Sequence, residues 1–88
     1  MACTVRIASP LRSYTKGAAS THANGATVAE VLDDLERRYP GMRFRMIDEQ
    51  DRRRQHIRFF VNTTAATTLA APVAAGDEVH VICALTGG

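Results

Sequence analysis

Apolar residues recur every three or four positions in one stretch of the chain, between Thr27 and Tyr39. The apolar positions there are Val28, Val31, Leu32, Leu35 and Tyr39. This spacing places them along one face of an amphipathic α-helix. Thr27 and Glu30 predict a capping box, in which the Thr27 hydroxyl accepts from the Glu30 N–H and the Glu30 carboxylate accepts from the Thr27 N–H. Pro40-Gly41 ends the predicted helix.

The polar side of this helix carries acids that are each followed, four residues later, by an arginine. Asp33 precedes Arg37, and Asp34 precedes Arg38. Pairs in this order stabilise a helix, and the acids lie nearer its positive N-terminal end. We therefore interpret these charges as a solvated helix face rather than as a functional site.

Apolar and polar residues alternate in four other segments, which predicts half-buried β-strands. They cover residues 4–9, 18–23 and 57–62, and a last strand follows the Gly76-Asp77 turn and ends at Cys83. Gly17 and the Asn24-Gly25 pair mark turns. Residues 42–55 predict a turn or short helix followed by a loop, and residues 63–68 predict a connector.

One helix can cover only one face of this small sheet, which predicts an α+β protein with a mixed sheet packed on one main helix. Placing the first and last strands side by side and parallel at the centre gives a β-grasp. The uncovered face then displays Arg6, Ala8, Arg58, Phe60, His80 and Ile82. Phe60 and Ile82 are apolar among basic neighbours, so this face is a candidate partner surface. The alternative is that residues 42–55 fold over it, and the sequence leaves both open.

Composition and charge narrow the function classes. The chain has 88 residues, enough for one domain, and a net charge of +2, which does not indicate a nucleic-acid partner. We interpret the run Arg52-Arg53-Arg54 as a solvated loop rather than an anion or nucleic-acid patch. No apolar run is long enough to span a bilayer, and the start of the sequence has no signal-peptide pattern. We therefore expect a cytoplasmic protein with no membrane partner.

The two cysteines, Cys3 and Cys83, show no spacing typical of a metal site. On neighbouring parallel strands, at about 3.3 Å per residue, they would lie too far apart for a disulfide. We therefore expect no metal site and no disulfide. Cys83 is best interpreted as a small buried residue at the end of a strand.

The last strand leads into Ala84, Leu85, Thr86, Gly87 and Gly88. Two glycines without Cβ atoms can adopt any backbone conformation and enter a narrow channel. We therefore divide the chain into a β-grasp domain, residues 1–84, and a flexible C-terminal tail, residues 85–88.

The chain resembles the ThiS/MoaD superfamily of ubiquitin-like sulfur-carrier proteins from end to end. The matching segments, in order, are Thr27 to Leu32 with Leu35 and Tyr39-Pro40-Gly41, then Phe60-Val61-Asn62, then Gly76-Asp77-Glu78-Val79, and finally Gly87-Gly88. The resemblance implies a protein co-substrate and not an enzyme. It implies that an E1-like adenylyltransferase/sulfurtransferase uses ATP to activate Gly88, with Gly87 beside it, and converts it to a thiocarboxylate. The carrier itself would bind no cofactor.

The resemblance also implies a partner-binding surface beside the tail. We expect it to include Phe60, Ile82, Arg58, His80, Leu85 and Thr86. Within the superfamily the chain is most similar to the actinobacterial carriers of cysteine synthesis, which implies a cysteine synthase-type acceptor enzyme. The alternatives are the small subunit of molybdopterin synthase, whose acceptor is the large subunit, and a carrier for another thiolated metabolite.

Three readings from other classes stay open. A ubiquitin-like protein modifier would use the same adenylated glycine, although the chain has a single lysine, Lys16. A plain interaction domain would function without Gly87 and Gly88. An enzyme built on His22, His56 or His80 is the weakest reading, because none has a nucleophile or carboxylate at suggestive spacing.

Overall fold

The computed structural model describes residues 2–50 and 52–83, and these build one five-stranded sheet with helices against one face. The strands are β1 (Ala2–Arg6), β2 (Ser20–Asn24), β3 (Ile57–Val61), β4 (Thr64–Ala65) and β5 (Glu78–Cys83). The helices are α1 (Val28–Arg38) and α2 (Met42–Met46), and a short 3-10 helix covers Ser9–Leu11.

The strand order across the sheet is β2-β1-β5-β3-β4. The first and last strands, β1 and β5, are central neighbours and run parallel. The pairs β1–β2, β3–β5 and β3–β4 are antiparallel. This is the predicted β-grasp: a mixed sheet packed on one main helix.

Helix α1 begins as the capping pattern predicts, with one difference. The Glu30 N–H donates to the Thr27 hydroxyl at 3.2 Å. The Glu30 carboxylate, however, accepts from the Ala26 N–H at 2.9 Å, one residue before the predicted Thr27 N–H. Residues on either side of Thr27 pair with the segment around Pro72: the Val28 N–H donates to the Ala71 carbonyl at 3.1 Å, and the Val73 N–H donates to the Ala26 carbonyl at 2.9 Å.

The ion pairs on α1 are partly as predicted. Asp34 binds Arg38 at 3.2 Å, which confirms that pair. The predicted Asp33–Arg37 pair is wrong: Arg37 binds Asp34 at 2.7 Å, and Asp33 binds Arg43 of α2 at 2.9 Å. Because α2 lies against α1, Asp33 pairs with an arginine of α2 instead of the arginine one turn further along α1.

Several strand limits differ from the prediction. Strand β1 ends at Arg6 rather than residue 9, because Pro10 lies in the first turn of the 3-10 helix. Strand β2 begins two residues later than predicted, after a turn in which Lys16 and Gly17 both have positive φ. The predicted connector 63–68 contains strand β4, which is only two residues long and exposed, so it has no alternation to detect.

The core lies between the helices and one face of the sheet. Helix α1 contributes Val28, Val31, Leu32 and Leu35, and β5 contributes Val79 and Val81. Met42, Met46 and Ile47 are buried in the same core, each at most 1% exposed. The alternative in which residues 42–55 cover the other face is therefore wrong, because these three apolar side chains lie in the core on the helix side of the sheet and Phe44 is exposed.

Candidate partner-binding site

The uncovered face of the sheet carries the predicted partner-binding residues in aligned rows. In the strand register Arg6 of β1 lies opposite His80 of β5, and His80 lies opposite Phe60 of β3. Directly opposed side chains on one face have their Cβ atoms about 5 Å apart. The structure therefore brings these three side chains together in one row across the centre of the sheet.

A second row lies one step closer to the end of β5. Here Arg58 of β3 is directly opposite Ile82 of β5. Arg58 is exposed, and Ile82 is one of two large apolar residues exposed in the described part of the chain, at 43%. We define the open face as the surface formed by these five residues: Arg6, Arg58, Phe60, His80 and Ile82. Ala8, predicted to belong to it, lies beyond the end of β1.

Glu78 supplies a negative charge on the open face that the sequence analysis did not consider. Its carboxylate lies 3.4 Å from Arg6 Nη2 and 3.1 Å from His80 Nε2. The alternation along β5 places Glu78, His80 and Ile82 on the same side. The open face is therefore amphipathic: two apolar side chains, Phe60 and Ile82, lie among charged and polar side chains.

A hydrogen-bond network fixes the start of β5 and hence the register of the open face. The Asn62 side chain donates to Asp77 at 3.1 Å and accepts from the Glu78 N–H at 3.0 Å. Asp77 also accepts from the Ala74 N–H at 2.8 Å, and this bond, followed by that from Asn62, lowers the pKa of its carboxyl group.

Sequence reasoning named these residues as separate matching segments but did not foresee their contact. Asn62 has a positive φ of 55° at the β3–β4 turn, where Asn is better tolerated than most residues. One sequence signal could have predicted the contact: an Asn stands at the turn after one strand, and a Gly-Asp turn precedes the last strand.

Cys83 is the last described residue before the tail. Its side chain lies on the same side of β5 as Val79 and Val81 and is partly buried. Both Cys83 and the buried Cys3 are free thiols. The prediction that the two cysteines do not form a disulfide is confirmed. Burial raises the pKa of both thiols, so neither is predisposed to act as a thiolate at neutral pH.

The predicted site residues Leu85, Thr86, Gly87 and Gly88 lie outside the described residues, as does the boundary predicted between residues 84 and 85. Within the described ranges, no group of three or more His, Cys, Asp or Glu side chains is placed to hold a metal ion. Neither described α-helix has the length and apolar character needed to cross a membrane.

The arginine run makes contacts within the chain. Arg53 donates to the Ile57 carbonyl at 2.6 Å, and Arg54 donates to the Phe44 carbonyl at 2.6 Å. Arg52 binds the side chain of Gln50 and lies 3.6 Å from Asp48. These contacts fix the loop before β3.

Comparison with known proteins identifies the class. The ThiS family model matches residues 5–88. The chain is 34% identical to the sulfur carrier protein CysO of Mycobacterium tuberculosis, over the full length of both chains. The chain therefore belongs to the ThiS family, whose members are small carrier proteins of β-grasp fold and not enzymes.

Solved structures agree with this assignment. The structure of the Amycolatopsis orientalis BexX/CysO complex contains a chain that is 36% identical, with a TM-score of 0.89, and the match covers 98% of this chain and 99% of that one. SAMP1 from Haloferax volcanii is 25% identical, with a TM-score of 0.84 and full coverage of both chains. The chain is thus CysO-like in both sequence and fold.

Proposed function

We propose that this chain is a sulfur carrier that bears its cargo as a thiocarboxylate on Gly88. The observation that carries the proposal is the family match, which runs from the first strand through the diglycine to residue 88. A match to the folded domain alone would leave the tail unexplained. Similarity to sulfur carriers over the full length of both chains supports the same role here.

The chemistry at Gly88 follows from the poor reactivity of a carboxylate. A terminal carboxylate has a pKa of roughly 3.5 and is ionised and weakly electrophilic at neutral pH. An E1-like partner lets one carboxylate oxygen attack the α-phosphate of ATP, and pyrophosphate leaves. A sulfide ion then attacks the acyl carbon, and AMP departs with the oxygen, which leaves the thiocarboxylate. A persulfide donor would instead give an acyl disulfide, which a thiol must then cleave to release the thiocarboxylate and a second disulfide.

The open face supplies the binding energy for this reaction. Ordering a flexible tail costs about 1–2 kcal/mol per residue. Phe60 and Ile82 offer apolar surface, and Arg58 and His80 give orientation, close to the strand that leads into the tail. Leu85 and Thr86 would continue the contact into the partner's channel, where Gly87 and Gly88 fit because they lack Cβ atoms.

The pathway we propose is cysteine synthesis, with a cysteine synthase-type acceptor that receives the sulfur. The names of the 34% and 36% identical relatives support it. The same tail chemistry would serve the small subunit of molybdopterin synthase or another thiolation pathway. No cofactor is held by the carrier, since ATP is consumed by the adenylating partner. A cytoplasmic location, where thiols stay reduced, suits the free cysteines.

A second candidate function is a ubiquitin-like modifier. The likeness to SAMP1, a small archaeal modifier protein, favours it. Such a protein would form an isopeptide between Gly88 and a lysine of its target, with AMP as the leaving group. Mass spectrometry that found lysines of other proteins joined by an isopeptide bond to a C-terminal fragment of this chain, lost when Gly88 is removed, would support this candidate over the carrier.

The test of the carrier is the intact mass of the chain after incubation with ATP, a sulfide source and its adenylating enzyme. We expect the gain that corresponds to replacing one oxygen by sulfur, and no gain when Gly88 is deleted. The control variant Ala70→Gly changes an exposed turn near the start of α1 and should gain the same mass as the wild type. Active enzyme that adenylates another carrier but leaves this mass unchanged would refute the proposal for that enzyme.

Cys83 offers a further check on the chemistry. Because burial raises its pKa, we expect Cys83→Ser to leave the lifetime of the thiocarboxylate unchanged. A shortened or lengthened lifetime, measured by mass against time, would instead indicate exchange between the thiol and the cargo.

A further inference from the structure

A groove of about 560 Å³ lies where β5 ends, separate from the open face. The residues that matter for its chemistry are Tyr14, Phe44, Arg45, Arg54, His56 and Cys83. Two of them are always cationic, and none of the described residues that line it is acidic. The groove is therefore a positively charged concavity beside the residue from which the tail continues.

Each of the two arginines of the groove binds a neighbouring residue of the chain through its Nε–H. Arg45 Nε donates to the Tyr14 hydroxyl at 2.6 Å, and Arg45 Cζ lies 5.9 Å from the centroid of that ring. Arg54 Nε donates to the Phe44 carbonyl at 2.6 Å, and Arg54 Cζ lies 4.5 Å from the Phe44 ring centroid. Because the side chains are already ordered, less entropy is lost when they bind.

Among the described residues, no hydrogen bond or ion pair is formed by the Nη atoms of Arg45 or Arg54. The charge of Arg54 contributes, after the Arg52 N–H, to the lowered pKa of the Asp48 carboxyl group. Arg6 of the open face, by contrast, has Glu78 as its partner. An ordered guanidinium with free Nη donors is the geometry that binds a carboxylate through two parallel hydrogen bonds.

Phe44 adds apolar surface to the same groove. It is 57% exposed, the most exposed large apolar residue among those described. Its ring lies under Arg54, so a ligand that reaches the arginine also contacts the ring. The groove therefore fits a peptide segment that carries both carboxylates and an apolar side chain better than it fits a lone anion.

We propose that this groove binds an acidic segment of the adenylating enzyme, so that the enzyme contacts the carrier on two surfaces, the groove and the open face. The inference rests on the proposed function, because an enzyme that holds Gly88 must approach the end of β5, where Cys83 lines the groove. The open face then provides apolar affinity, and the groove provides charge complementarity, which speeds association and fixes orientation.

The test is calorimetric titration of the adenylating enzyme with the full chain and with Arg45→Gln, Arg54→Gln and the double variant. We expect each single variant to raise Kd several-fold and the double variant to raise it by roughly tenfold or more at low salt. The salt dependence of Kd becomes shallower in the double variant. The matched control is Arg37→Gln, which removes an exposed arginine from α1 and is expected to leave Kd within about twofold.

A second measurement covers the case in which the double variant folds poorly. The side-chain Nε–H signals of Arg45 and Arg54 in the wild-type chain report directly on the groove by NMR. We expect both to shift when the enzyme is added and that of Arg37 to stay in place. Shifts confined to the open face, or a double variant that binds like the wild type, would overturn the proposal.

Two further outcomes separate the alternatives. Equal shifts with inorganic phosphate or a short single-stranded DNA would make the groove a phosphate or nucleic-acid site and overturn the protein partner. The double variant, at saturating enzyme, should still gain the mass of the thiocarboxylate, because the groove acts in binding and not in chemistry. If the wild type failed to gain that mass, the proposed function would be refuted. If Kd were unchanged in the double variant, only the groove proposal would be refuted.

Discussion

Phe59 and Phe60 are neighbours on β3 and point to opposite faces of the sheet. Phe59 is 3% exposed and packs among the buried residues beneath α1, whereas Phe60 is partly buried on the open face opposite His80. The same alternation separates Val81 from Ile82 on β5, at 2% and 43% exposed. One strand pair therefore lines the core on one side and forms the open face on the other, and single substitutions can separate the two.

The largest expected effect on stability is that of Phe59→Ala, which should lower the free energy of unfolding by about 3–5 kcal/mol, because it opens a cavity in the core. Phe60→Ala, the matched control one residue away, should cost only about 1 kcal/mol. Urea unfolding followed by circular dichroism measures both. Equal losses would mean that the two faces do not differ as described.

The largest expected effect on binding is that of Ile82→Asp, which replaces one of the two apolar side chains of the open face by a charge. We expect Kd for the adenylating enzyme to rise more than tenfold, about 1.4 kcal/mol. Stability should fall by no more than about 1 kcal/mol. Ala70→Asp adds the same charge to an exposed turn near the start of α1 and should leave Kd unchanged. Similar binding losses in both variants would indicate a general charge effect.

Asp34 connects the covering helix to the sheet and predicts a dependence on pH. Its carboxylate accepts from the Asn24 N–H at 3.0 Å, which is the main cause of its lowered pKa, and then from Arg37 and Arg38. Because the folded-state pKa lies below the unfolded value, the stabilisation is present at neutral pH and is lost as pH falls through the folded-state pKa.

The variant Asp34→Asn isolates this contribution. It should be less stable than the wild type at pH 7, and the difference should shrink as pH falls below about 4, the ordinary pKa of an Asp carboxyl group. Urea unfolding at pH 7, 5, 4 and 3 checks this. If the difference in unfolding free energy stayed constant over the series, another group would be responsible for the loss of stability at low pH.

The smallest expected effect is that of Glu78→Gln on the open face. Its partners Arg6 and His80 are exposed or half-exposed, so we expect a change in unfolding free energy within about 0.5 kcal/mol. Arg6→Gln should give a change of the same size. A loss above about 1 kcal/mol in either would show that the open face contributes to stability and would blur the division between the faces.

Much of this division could be predicted from local sequence. The 3.6-residue period of α1 and the two-residue period of β3 and β5 are set by each element alone, so the buried and exposed sides follow from the pattern. The central parallel pairing of β1 and β5 came from the choice of a β-grasp architecture and not from a local pattern, because it joins residues about 75 positions apart.

The remainder depends on contacts between distant segments. Asp33 binds Arg43 because α2 folds back on α1, and Asn62 meets Asp77 because two turns lie side by side. The groove likewise combines residues from four separate segments, among them Tyr14, Phe44, Arg54 and Cys83. Nothing in the spacing of Arg45 and Arg54 indicates that each is held by an aromatic residue and directed outward.

The central position of β5 has a consequence for synthesis. β5 is the last strand described, yet it lies between β1 and β3 and bonds to both. A nascent chain cannot close its sheet until residues 78–83 have left the ribosome, because non-local pairings form only when both strands are available. The open face is assembled by the same event, since Ile82 and His80 meet Arg58 and Phe60 only there. Under the proposed function, an unfinished chain would therefore lack the surface that the adenylating enzyme binds and would not occupy that enzyme unproductively.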